Sequence, residues 1–138
     1  GHAAVLGRAR VEERAMVYGS ARVAGRARIG GDAQVYDRAQ VWEDAAVSGA
    51  AKVFGEARVS GNAWVSDRTR ISDRSRLWER ARVYGDARVA GEARVSGEAQ
   101  VAGAAWLYGE AEVGGSALVT GKARFSGGDP VLVGIRDR

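Results

Sequence analysis

Between residues 68 and 82 six arginines recur at spacings of two and four: Arg68, Arg70, Arg74, Arg76, Arg80 and Arg82. A guanidinium stays charged at every physiological pH. Its planar fork grips carboxylate or phosphate oxygens through two parallel N–H groups. One reading of the band is therefore an anion-binding girdle. The plainer reading is a solvated band, in which Arg68, Arg74 and Arg80 pair with Asp86, Glu92 and Glu98 eighteen residues further on. All three acidic partners are present, which favours the plainer reading.

Other chemistry has few candidates. The chain holds one histidine, His2, and no cysteine. Thiolate nucleophiles, disulfides and thiolate-held metals are thus excluded. Zinc would be left with carboxylates, a poor match for its usual ligands. Serines and threonines are scattered with no base beside them except acids. The adjacent acids Glu43 and Asp44 suit acid–base work in principle, but solvated charges at a chain corner are the simpler reading. We expect no catalytic residue, no metal site and no cofactor, and hence a non-enzymatic protein.

The elements that position these side chains follow from a repeat. Counting in sixes from Val5 to Val131, every position is apolar: valine except at Ile29, Ile71, Leu77, Leu107 and Phe125. Two residues earlier, from Ala3 to Ala123, stands alanine, replaced only by Thr69 and Ser75. Two residues later, from Gly7 to Gly127, stands glycine, replaced only by Glu13, Asp37, Glu43, Asp67, Asp73 and Glu79. Ala-x-Val-x alternates apolar and variable positions, the period of a strand with one face buried. Gly-x then turns a corner, because glycine accepts positive φ without steric cost. Aspartate shares some of that tolerance, and glutamate less. The period of six does not fit a helix, and glycine in most units disfavours one by roughly 1 kcal/mol each.

Charge at the second corner position reports how many strands make one coil. Residues one coil apart lie about 4.8 Å apart, so opposite charges there attract. Eighteen residues per coil brings Arg14 to Asp32, Arg26 to Asp44, Arg38 to Glu56, Glu56 to Arg74, Arg68 to Asp86, Arg74 to Glu92 and Arg80 to Glu98. Only Arg8–Arg26 and Glu92–Glu110 are alike. Twelve residues per coil stacks mostly like charges, while twenty-four does nearly as well as eighteen. Three strands also make the smallest prism that valine and alanine can fill, so we take eighteen.

The pattern resembles the hexapeptide-repeat left-handed β-helix family, in which an aliphatic residue is followed four places on by a small one, as in "VYGDA" at residues 83–87. The resemblance spans roughly residues 3–131. It implies a single-stranded parallel left-handed β-helix, an all-β triangular prism of about seven coils. Left-handed winding is implied by the resemblance alone. Many members of that family are acyltransferases and some are metal-dependent carbonic anhydrases. Both commonly rely on histidine and on loops that interrupt the coils. Here the one histidine is His2 and no loop interrupts the repeat, so the family's catalytic residues find no positions in this chain.

Outward positions then form columns down three flat faces. The first face carries Tyr18, Tyr36, Phe54, Trp106 and Tyr108 with several basic residues and no acid; it is the candidate association face. On the other faces Glu12 and Glu112 are the acidic positions, while the remaining acids fall at corners or in the tail. Basic columns interleaved with aromatics suit either a homo-oligomer, dimer or trimer, or a nucleic acid or other polyanion. Corner acids and a net charge of only +4 weigh against the polyanion. A catalytically inactive relative of trimeric acyltransferases is a third reading. No transmembrane run appears, and nothing points to a compartment. Gly1-His2 reads as a cloning scar, residues 3–127 as the β-helix, and 128–138 as a tail that caps its C-terminal end. The chain reads as a natural fragment or a designed scaffold.

Overall fold

The computed structural model describes residues 3–126 and 135–136. Each six-residue unit contributes a short strand, from Ala4–Val5 to Arg124–Phe125, and a two-residue corner. The strands pair in parallel at a separation of eighteen: Val5 with Val23, Val59 with Leu77, Ile71 with Val89. Among the described residues three sheets of seven, eight and seven strands result, each made of every third strand in the chain except for Ile135–Arg136, which joins the eight-stranded sheet at a separation of sixteen. The molecule is a three-sided prism of about seven coils, and at ~4.8 Å per coil it is roughly 30–35 Å long.

The strands are two residues long, three at Leu118–Thr120, shorter than the four-residue alternation suggests. Hydrogen bonding nevertheless continues past their ends. Trp64 N–H donates to the Ala81 carbonyl at 2.8 Å and Ser66 N–H to Val83 at 3.0 Å, and the corner residue Arg68 donates to Gly85 at 2.9 Å. Nearly the whole coil is thus one ladder onto the next. Inside it, valine and alanine columns are closed to solvent: Val59, Val83, Ala57 and Ala81 are all fully buried. Thr69 and Ser75 take alanine positions and are buried too. Each hydroxyl donates to a carbonyl three residues back, Thr69 Oγ1 to Ser66 at 3.1 Å and Ser75 Oγ to Ser72 at 2.7 Å. No buried polar side-chain atom among the described residues lacks a partner.

Corners carry the backbone's special geometry. At Gly25 φ is +67° while the next residue keeps negative φ, and Ala27 N–H closes the turn on Ala24 at 3.3 Å. That is the φ signature of a type II′ turn. The six non-glycine corner residues adopt the same conformation, with φ between 59° and 62°. Glutamates do so as fully as aspartates. Asp37, Asp67 and Asp73 gain something in return: each Oδ2 accepts the N–H of the glycine one coil on, Gly55 at 3.2 Å, Gly85 at 2.9 Å and Gly91 at 3.0 Å.

The ends differ from the middle. Val5 is 46 % exposed and Val11 37 %, against zero for their stacked counterparts Val23 and Ile29. At the other end Ile135–Arg136 adds a parallel strand beside Leu118–Thr120, with Val119 opposite Ile135. The rest of the tail expected to form a cap, including Pro130, Val131 and Val133, lies outside the described residues.

Two substitutions test this inside–outside assignment. Val83→Asp places an unpaired charge in the closed column, and we expect no cooperative folding by circular dichroism. Gly49→Ala puts a Cβ 2.6 Å from the Asp67 backbone nitrogen at a residue with φ of +65°. A loss of about 1–3 kcal/mol in urea unfolding is expected. A wild-type midpoint for either variant contradicts the assignment.

Candidate functional site

The six arginines of the proposed girdle do not converge. Arg70, Arg76 and Arg82 lie on three different sheets, while Arg68, Arg74 and Arg80 occupy the three corners between them. All six are exposed and point away from a common axis. Of the expected partners, Asp86 lies 3.5 Å from Arg68, while Arg74 turns back to Glu56 at 3.9 Å. These side chains are 56–80 % exposed, so each pair contributes at most about 1 kcal/mol and is weakened by salt. The stacked charges favour the eighteen-residue register, but they do not create it.

The tyrosine face is more organised. Tyr18, Tyr36 and Phe54 stack along it with ring centroids 4.9 and 5.0 Å apart and planes within 3°. The repeat distance of the coil dictates this spacing, because the three residues share one column. Tyr18 OH also donates to Gln34 Oε1 at 3.3 Å. Further along, Trp106 lies against Tyr108 at 5.0 Å, tilted by 45°, and Arg124 covers Trp106 at 5.3 Å. Between the two aromatic groups the same column holds the small residues Ser72 and Ala90. The candidate association residues thus form two clusters separated by a shallow recess.

Two further arrangements were not singled out from the sequence. Arg82 lies over the Trp64 ring at 5.6 Å, and Tyr84 OH donates to Gln100 Oε1 at 3.1 Å beside it. These groups, with Asp67 and Ser66, line an open hollow of about 430 Å³. On the remaining face Trp42 and Trp78 flank Ser60. The signal in the sequence is the spacing of two coils between the tryptophans, with a small residue midway. Among the described residues no group of three His, Asp or Glu side chains lies close enough to share a metal ion. Among the described residues no helix is long and apolar enough to cross a membrane.

With this geometry in hand, similarity to known proteins is narrow. The family described as the YdcK Beta solenoid repeat matches residues 81–97, just under one coil. No curated protein matches the chain. The match accords with a β-solenoid repeat and extends to no site residue outside that coil.

The aromatic stack has a measurable electrostatic consequence. Burial above all, and then the adjacent Tyr18 and Asp37, hold the Tyr36 phenol above its usual range, against a smaller opposing pull from Arg70. The folded state therefore binds this proton more tightly than the unfolded chain. Its stabilising contribution is present below about pH 10 and is lost as pH rises through the folded value. Tyr36→Phe keeps the ring and removes the proton. The variant is expected to lose less stability than the wild type between about pH 8 and about pH 11, read from paired thermal melts. Equal losses in both proteins would show that Tyr36 does not carry this titration.

Proposed function

We propose that the chain is a non-enzymatic scaffold, a rigid β-solenoid that pairs with a second copy of itself through the tyrosine face. The observation that carries this reading is the division of one column into a bulky stretch, Tyr18, Tyr36 and Phe54, and a small stretch, Ser72 and Ala90. Two copies related by a twofold axis along the strand direction would run antiparallel. Tyr36 then faces the partner's Ala90 and Phe54 its Ser72, while Tyr18 meets the partner's Tyr108 ring to ring. Such an interface is isologous and closes at two subunits. The non-enzymatic part is supported by the dispersal of the arginines over three faces and by the lack of any imidazole within the repeat.

The same face brings Lys52 and Arg70 close to the axis. Their stems would cover aromatic rings, and their heads would repel across the interface. A face is about 34 Å by about 13 Å, about 880 Å² over both partners and below the ~1,200 Å² of a stable interface, so weak association is the expectation. Because like charges oppose it, added salt should strengthen it. Light scattering should give a mass rising towards twice the 14.5 kDa of one chain as concentration increases. Phe54→Arg should keep the fold and remain monomeric. A wild-type chain that stays monomeric up to millimolar concentration at high salt would end this proposal.

A further inference from the structure

The Trp42 face contains a ladder with a missing rung. Its outer column reads Trp42, Ser60, Trp78 on three successive coils, and Arg58 and Arg76 stand in the column beside it. On the tyrosine face three such successive rungs are all aromatic and stack at 4.9 and 5.0 Å. Trp42 and Trp78 occupy the first and third rungs at the same coil pitch. About 10 Å therefore separates their attachment points, the span that holds one ring between two others. Ser60 is only 8 % exposed and forms the floor, too short to stack on either indole.

The result is a slot of about 210 Å³ lined by Trp42, Arg58, Ser60, Arg76, Leu77 and Trp78. Apolar cavities of ~150 Å³ admit benzene, so one aromatic ring has room. At the rim stand the Arg58 and Arg76 guanidiniums. Among the described residues neither has a carboxylate within 4.0 Å, whereas Arg94, next in the same column, pairs with Glu112 at 3.8 Å. The larger hollow by Trp64 lacks this combination. There Arg82 already covers the indole, and the Asp67 carboxylate lines the wall and would repel an anion.

We infer that the Trp42–Trp78 slot binds a planar aromatic anion: its ring supplies the missing rung between the indoles, and its anionic group is held by Arg58 and Arg76. Ring stacking provides the fit and the guanidinium pair selects for charge. A planar neutral molecule lacks the second contribution, and a non-planar anion lacks the first.

Calorimetric titration of the chain with 2-naphthoate at low ionic strength tests this. Saturable binding is expected, at least tenfold tighter than that of neutral 2-naphthalenemethanol. Ser60→Tyr fills the rung from within. It should leave the unfolding midpoint unchanged or raised, and weaken naphthoate at least tenfold. Arg58→Gln with Arg76→Gln should erase the preference for the anion. Should Ser60→Tyr fail to fold, Trp78→Ala in the folded chain serves in its place, with the same loss expected. No binding at millimolar naphthoate, or equal binding by wild type and the slot variants, overturns the inference.

Discussion

The structure depends on the left-handed corner. Every corner from Gly7 to Gly121 holds its first residue at φ between 59° and 73°, and this turns the chain onto the next face in a plane level enough to stack. A side chain in that conformation aims its Cβ at the backbone of the following coil. At Gly49 a Cβ would come within 2.6 Å of the Asp67 nitrogen, and at Gly85 within 2.9 Å of the Gly103 nitrogen. Glycine dominates for both reasons at once. The six exceptions obey a rule along the prism: none stacks directly on another. One column runs Gly25, Glu43, Gly61, Glu79, Gly97, so each coil that must yield to a Cβ has glycine above and below it. The aspartates also supply an acceptor to the glycine N–H they crowd, offsetting part of the strain.

Once corners keep the coils level, the remainder follows with little freedom. Carbonyls and amides of adjacent coils meet in register, and the interior columns close. The outward positions are then free of folding duties, so their chemistry varies column by column. Whatever the protein binds must be read from side chains spaced by one coil pitch. That pitch suits flat rings, which stack at nearly the same distance. The continuous stack of Tyr18, Tyr36 and Phe54 and the interrupted one of Trp42 and Trp78 are two outcomes of one geometry.

Much of this was legible in the residues themselves. The unbroken period of six placed every buried valine and every corner, and eighteen residues per coil agrees with the observed pairing of Val59 with Leu77. Charge alone barely separated eighteen from twenty-four, since exposed pairs are weak. Only Arg68–Asp86 and Glu56–Arg74, among the stacked corner pairs, come within contact distance. Glutamate at the corners looked unfavourable because intrinsic preference ignores neighbours, and flanking glycines relieve the crowding that decides the matter. Thr69 and Ser75 gave no sign of their role, because the carbonyls they satisfy become neighbours only when the turn forms. The slot at Ser60 was hidden for a related reason. Its walls are thirty-six residues apart in the chain, and its defining feature is a residue too small to be noticed.

The central claim is that each coil hydrogen-bonds to the next in an eighteen-residue register. Scalar couplings across hydrogen bonds, measured by nuclear magnetic resonance on labelled chain, read that register atom by atom. The account predicts coupling from the Trp64 amide nitrogen to the Ala81 carbonyl carbon, which are linked at 2.8 Å, and from Arg76 to Ala93, linked at 2.9 Å. The same offset of seventeen should recur along the ladder. Couplings at offsets of eleven or twenty-three instead would mean two or four strands per coil, and would contradict it.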